Sequence, residues 1–427
     1  MADLVVSTAP ATRVRYGVLA FTVTLAVITY IDRVAISVAG PYIRQELGLS
    51  DVQLGWVFTA FALAYALFEI PGGYLGDWLG PRRVILRIVL WWSFFTAATG
   101  WARGFASMVT VRFLFGAGEA GCFPNLAKMF TIWLPDHERV RAQGLLWLCA
   151  RWGGAFTPLL AAPIILAVGW RHAFEVFGVL GLVWAAAFYF WYRDNPLEHP
   201  KMNEAEKALL RSGAERISGH GKAPWGTLLR SGRVWLLCWQ YFFLNYGWYF
   251  NITWLPTYLR EARGMNVAQA AMFGVLPLFM GGLGNPVSVF LTEQLFRITG
   301  DLSRTRRMVA CVGYAGACGF LILTTYAQDA RLAVICIAMA SFSNDLAMPP
   351  SWAASMDMGG KYAGTLSGAM NSWGNLGGAV APAVIGYVLT ASGSNWNLAF
   401  YISAAVYLAA LPCWYFLDSV TPLEGTE

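Results

Sequence analysis

The chain has 427 residues, of which 57% are hydrophobic and 13% charged, and its mean hydropathy is +0.50. Soluble globular chains carry about 25% charged residues, so this composition excludes an ordinary water-soluble domain. The formal net charge of +6 is divided among separate short connections rather than gathered on one face, which argues against a nucleic-acid-binding surface.

Crossing a hydrocarbon core takes about 20 consecutive apolar residues in a helix, and helices suit stretches of that length better than a barrel. Twelve are expected, at residues 16–40, 53–73, 83–101, 107–133, 142–168, 172–193, 233–259, 268–293, 306–327, 331–352, 362–390 and 396–418. The expected class is therefore an all-α membrane protein with 12 transmembrane helices. The first span is flanked by polar sequence and has no small-residue cleavage site before Tyr30, so it reads as a retained helix rather than a signal peptide. Lys and Arg concentrate in the connections that share a side with the N-terminus, and the positive-inside rule then puts both termini in the cytoplasm.

Ionisable residues within a span are costly and usually face a cavity or one another. Span 1 carries Asp32 and Arg33; neighbours on a helix point about 100° apart, so each needs another partner. The Arg33 fork of N–H donors suits a carboxylate. Span 2 carries Glu69, for which two readings stay open: a second acid in the cavity, with a part in proton coupling, or a hydrogen-bonding group packed against span 11. Beyond span 2 come Asp77, Gly80, Arg82 and Arg83; beyond span 8 come Glu293, Arg297, Gly300, Arg304, Arg306 and Arg307. Each is an acid, a turn, then arginines. Such charges at the ends of neighbouring helices can pair in one conformation and part in another, forming a gate, or can simply set topology.

In span 4, Arg112 and Glu119 are seven apart, on one face and two turns or about 10.5 Å from each other, too far for a direct bond. A carboxyl in an apolar cavity, visited by a returning cation, can alternate between protonated and ionised forms as proton coupling requires; Glu119 fits that role. Arg112 either meets the substrate or serves as a fixed counter-ion to a buried acid. Lys128 sits near the inner end of the span, where it can snorkel. In span 5, Arg151 either faces the cavity, implying a second carboxylate or a phosphate on the substrate, or packs against Glu69 or Asp345. Gln240 and Tyr241 in span 7, with the segment around Asn245 and Gly247, are candidates for reading hydroxyl groups. In span 11, Ser367 and Asn371 are four apart on a glycine-rich helix, which makes a polar stripe where backbones approach closely.

Seven cysteines all fall in spans without a CxxC pair, so free buried thiols are expected. His137, His172, His199 and His220 are scattered without ligand spacing; no metal or other cofactor is expected. A membrane-embedded enzyme would need a nucleophile with its base, or metal ligands, and neither constellation is found.

The longest connection, 194–232, divides the spans six and six: an N-terminal bundle over 1–193, a cytoplasmic linker with a surface helix, and a C-terminal bundle over 233–427. Such repeats place the substrate near the midplane between the halves.

Gly73, Asp77, Gly80, Arg82 and Arg83 match the G-x-x-x-D-x-x-G-x-R-R/K loop of the major facilitator superfamily, which the chain resembles. The copy at Glu293 departs from it, with no glycine four residues earlier. A closer resemblance, to the anion:cation symporter branch, runs through Tyr30 to Arg33, Phe61 to Tyr65 with Ile70 to Gly73, Arg112 to Glu119 with Phe123 and Pro124, Gly169 to Arg171, Trp254 to Leu259, and Ala363 to Asn371. It implies the major facilitator fold with two pseudo-symmetric halves. It also implies that Arg33 binds the substrate carboxylate, Tyr65 hydrogen-bonds substrate, Asp32 and Glu119 carry coupled protons, and Ser367 and Asn371 add polar contacts. The implied activity is proton-coupled uptake of a sugar acid such as a hexonate, hexuronate or aldarate by a monomer in the bacterial inner membrane. Another carboxylate, a phosphate ester, or efflux stand as alternatives. If the substrate is polyhydroxylated, Tyr65, Gln240, Ser367 and Asn371 should favour it over a plain aliphatic acid.

Overall fold

A computed structural model describes residues 10–215 and 225–423; His220 and Lys222 of the long connection, and both extreme termini, lie outside the described residues. All regular structure among the described residues is helical. In chain order the helices are α1 (Arg15–Leu47), α2 (Asp51–Leu79), α3 (Pro81–Thr99), α4 (Phe105–Glu119), α5 (Cys122–Trp133), α6 (Asp136–Trp191), α7 (Glu204–Glu215), α8 (Trp225–Arg230), α9 (Gly232–Thr253), α10 (Leu255–Glu261), α11 (Val267–Thr299), α12 (Leu302–Tyr326), α13 (Ala330–Asp345), α14 (Met348–Gly359), α15 (Ala363–Ala391) and α16 (Trp396–Phe416).

Each of the twelve apolar stretches falls on this helical framework. Seven continuous helical runs are long and apolar enough to cross a membrane, and two of these, 56 and 62 residues long, exceed the roughly 20 residues of one crossing. The first, α6, changes direction at Gly169 (φ 78°); the second comprises α13, α14 and α15. The other spans are the shorter α3, the broken pair α4–α5, and α9 with α10. Polar side chains set several starts: Ser50 and Asn266 form reciprocal caps with Gln53 and Gln269 on α2 and α11, and Asp301, Asp329 and Asn395 cap α12, α13 and α16, each supplying an acceptor to otherwise orphaned N–H groups.

Helices α1–α6 pack chiefly on one another, as do α9–α16, and the two halves meet along two principal seams, α2 against α15 and α6 against α11. The break between α4 and α5 is a packing requirement. A Cβ on Gly72 would lie 2.7 Å from the Gly121 Cα, so α2 touches the α4–α5 corner backbone to backbone, and Gly121 itself adopts φ 83°, a conformation open mainly to glycine.

The surface helix expected in the long connection is α7, and it is fixed to the first half. Glu206, fully buried, accepts from the Val14 and Arg15 N–H groups at 3.1 Å, from Thr12 Oγ1 at 2.6 Å and from Arg15 Nη1 at 3.0 Å. It thereby caps α1, while His199 packs against the rings of Trp133 and Trp191, which stack on each other.

Candidate anion and proton site between the halves

Arg33, from α1, and Glu119, the last residue of α4, meet in the first half. Arg33 Nε donates to Glu119 Oε1 at 2.5 Å. The carboxylate is fully buried while the arginine side chain keeps 21% exposure, and neither Arg33 Nη2 nor Glu119 Oε2 has a further partner. Four rings surround the guanidinium: Tyr65 at 4.5 Å, Phe61 at 5.4 Å, Tyr30 at 5.6 Å and Phe123 at 5.7 Å. Cation–π attraction holds a cation in such a box without consuming its N–H donors.

Arg112 enters the same chamber. Its guanidinium lies 4.4 Å from the Phe115 centroid and 5.2 Å from that of Phe61, so Phe61 contacts both arginines. Arg112 is 2% exposed, and its Nε has no partner. The two-turn separation from Glu119 holds: they interact through space without a hydrogen bond. Asp32 is buried; the Thr96 hydroxyl lies beside it, and Glu119 and Arg112 act on it through space. These groups thus give two arginines with spare donors and two carboxyls, only one of them clasped by an arginine.

Glu69, left between two readings, is the hub of the α2–α15 seam. Its Oε1 accepts from Asn371 Nδ2 at 2.5 Å and Tyr65 Oη at 3.3 Å, and its Oε2 accepts from the Gly121 N–H at 2.9 Å. Asn371 also reaches Tyr65 Oη at 3.4 Å. Glu69 therefore joins α2 to both the α4–α5 corner and the opposite half.

Three residues assigned above to the substrate are engaged elsewhere. Gln240 is fully buried within the second half. Its Oε1 accepts from Tyr314, Ser351 and Trp414 at 2.9–3.1 Å, and its Nε2 donates to the Leu237 carbonyl, so its carbonyl oxygen is fully occupied within the second half. Ser367 pairs with Ser355 Oγ at 2.8 Å, fixing α15 to α14. Arg151 forms a two-point ion pair with Asp345 across the halves, at 2.8 and 3.2 Å, with both side chains at most 2% exposed. Removing one member of such a pair typically costs roughly 3–5 kcal/mol because the other is left buried and unpaired.

The gating residues are also distributed differently from the sequence expectation. Asp77 caps the start of α15 in the opposite half, accepting from the Gly364 N–H at 3.1 Å and from the Thr365 N–H and Oγ1, both at 2.6 Å. Its cation is Lys128, at 3.3 Å, which also donates to the Lys361 carbonyl; Lys128 is 3% exposed, so it bridges the halves instead of snorkelling. Arg82 turns away, donating its N–H to Asp194 at 2.9 Å and Nη2 to the Tyr189 carbonyl at 2.5 Å. Arg83 is exposed.

Of the rest of this seal, sequence reasoning marked Glu293 and Arg306 as possible gate charges and missed Arg139, Arg141 and Asp357. Arg139 and Arg306, from different halves, share Asp357 at 2.7 and 2.6 Å, and Arg141 grips Glu293 through both nitrogens. Arg139 and Arg141 were legible only as positive charges in a connection; nothing local marked their partners. Together these contacts close the bundle at the end carrying the long connection. Among the described residues no group of three or more His, Cys, Asp or Glu side chains is placed to hold a metal.

This arrangement, with two helical halves, paired seams and a cluster of buried charges in the first half, is that of a membrane transporter, and the comparisons agree. Residues 22–382 match the Major Facilitator Superfamily, and the chain belongs to that family; it is a multi-pass transporter rather than an enzyme. It is 39% identical over 417 residues to a probable sulfoacetate transporter, SauU, of Cupriavidus necator, covering 97% of this chain and 96% of that one. It is 30% identical to a probable galactarate/D-glucarate transporter, GudP, of Bacillus subtilis, covering 94% and 91%. The fold matches that of a proton:xylose symporter, XylE, with a TM-score of 0.76 at 13% identity over 96% of this chain and 98% of that one. These relatives are consistent with the anion:cation symporter branch anticipated from the motifs.

Proposed function

We propose that this protein imports a small organic acid across the inner membrane together with protons, by alternating access, with both termini in the cytoplasm. The observation carrying this reading is the Arg33–Glu119 contact: one N–H of the guanidinium is committed to a buried carboxylate while Nη2 remains unpaired. An anion arriving at Nη2 would put two negative groups on one cation. Protonation of Glu119 removes that repulsion, so anion and proton load together. Asp32, which no arginine clasps, is the second group for proton exchange, and Arg112 draws the anion in.

The bundles over 1–193 and 233–427 would rock about this chamber, with the linker over 194–232 riding on the first. In the conformation described, the seal through Asp77, Asp357 and Glu293 closes the cytoplasmic side. After it opens, Glu119 gives up its proton, returns to Arg33 and displaces the anion.

Gln240 and Ser367 are engaged within their own bundle, and Tyr65 and Asn371 are tied to Glu69 in the seam, so few side chains are left to read hydroxyl groups. This supports a compact acid, a sulfonate such as sulfoacetate included, at least as well as an extended sugar acid such as glucarate.

The test is uptake of labelled sulfoacetate, D-glucarate and D-glucuronate into proteoliposomes with and without an inward proton gradient. Gradient-driven accumulation of one of these acids, lost in Arg33→Ala, is the expected result. Transport of none of them, or accumulation indifferent to the gradient, overturns the proposal.

A further inference from the structure

Arg151 and Asp345 have no part in the scheme above, although they form a buried ion pair in the middle of the molecule. Asp345 is the last residue of α13, three residues before Met348 opens α14; Glu119 is the last residue of α4, three residues before Cys122 opens α5. Each carboxylate is pinned to an arginine, and each arginine lies against an aromatic ring, Arg33 on Tyr65 at 4.5 Å and Arg151 on Trp248 at 4.1 Å. The same device therefore occurs twice.

The two devices are neighbours. Tyr30 lies 5.6 Å from Arg33 and packs on Gly154, one turn beyond Arg151 in α6, and Phe123, 5.7 Å from Arg33, stacks at 4.8 Å on Trp147, one turn before Arg151. Asp345 also has donors that do not depend on Arg151: Asn344 Nδ2 at 3.0 Å and Asn285 Nδ2 at 3.3 Å. It keeps two hydrogen bonds if the arginine leaves. Arg151 has no other carboxylate within ion-pair distance, and a buried guanidinium does not part from one anion without meeting another.

We infer that Arg151 is a second anion receptor for which Asp345 is the internal stand-in, and that the transported molecule is a dianion whose second acidic group takes Asp345's place. This rests on the anion-transport reading above and adds to it the charge of the substrate. Because Arg151 and Asp345 belong to different halves, the exchange also releases a bond holding the halves together, which couples substrate choice to the conformational change.

The experiment measures binding to purified protein of two matched pairs, D-glucarate against D-gluconate and sulfoacetate against acetate. The readout is the dianion-to-monoanion affinity ratio. The wild type should prefer one dianion over its monoanionic partner by about tenfold or more, the scale of one charge-assisted pair. Asp345→Asn, which frees Arg151, should raise that ratio. Arg151→Gln/Asp345→Asn, which removes both charges and leaves no unpaired ion, should bring it close to one. Ratios that stay the same in both variants, or a wild type that binds both members of a pair alike, overturn the inference while leaving anion transport standing. A wild type that binds neither pair overturns the anion-transport reading and this inference with it.

Discussion

Asp77 and Thr365 belong to opposite halves, yet the Asp77 carboxylate accepts both the N–H and the hydroxyl of Thr365 at 2.6 Å. A carboxylate at a helix start satisfies orphan donors and complements the helix dipole, so the closed state depends on a cap that the other half supplies. Losing such a cap costs roughly 0.5–2 kcal/mol, and Asp77→Ala should shift the population toward opening at that end by the matching factor of about 2 to 30. Spin-label distances across the α2–α15 seam would show it; an unchanged distribution would mean that the remaining links suffice alone.

Glu119→Gln should separate binding from coupling. The amide keeps the shape and an acceptor for Arg33 but carries no proton to deliver. Counterflow exchange of the substrate should persist, while accumulation driven by a proton gradient should disappear. Accumulation at wild-type levels would move the coupling role to Asp32.

Gln240→Leu should behave as a folding mutation. It strands the indole N–H of Trp414 and leaves the Tyr314 and Ser351 hydroxyls only their backbone acceptors, the Gln240 and Ala347 carbonyls; a buried polar group left unsatisfied costs about 1–3 kcal/mol. A clear fall in melting temperature with substrate affinity changed less than twofold is expected. A large loss of affinity in a stable protein would return Gln240 to the binding site.

Glu69→Gln places an amide where one oxygen accepts from Asn371 and Tyr65 and the other from the Gly121 N–H. One of these contacts becomes donor against donor. Turnover should fall more than substrate affinity, because the contact lies on a seam that must reform in every cycle; a change confined to affinity would make Glu69 a substrate ligand.

His199 offers a test in the linker. Burial against Trp133 and Trp191 lowers its proton affinity below the ordinary imidazole value, and the nearby positive charge of Arg193 adds to the effect. The folded state therefore favours the neutral ring. That contribution is present above the unfolded-state value of about 6.5 and is lost as pH falls through it toward the lower folded value. Melting temperature should decline over this range, and His199→Phe should flatten the decline. Identical acid limbs would show that the linker contact carries no titration.

The twelve spans were legible because membrane thickness imposes an apolar length that composition alone reveals. Arg33, Glu119 and Asp32 were legible for the related reason that a charge within a span demands explanation. The partners that Gln240 and Ser367 take were not legible, because helical spacing tells which residues share a face but not what lies opposite. Arg151 was open between the cavity and Asp345 until the seam between α6 and the second half was seen. Lys128, Arg139 and Asp357 act through partners more than 200 residues away, a separation at which local pattern carries no information.

The contact between Gly73 and Gly364 has a further consequence. A methyl group on Gly364 would sit 2.6 Å from the Gly73 carbonyl oxygen, and one on Gly73 would collide with the Gly364 carbonyl. Here the two halves shut with no side chain between them, as a door closes flush on its frame. One added carbon at either position is a doorstop: it leaves the chamber's charged groups intact and denies the protein only the state in which this end is closed. Such a wedged protein would hold the opposite phase of the cycle open to observation.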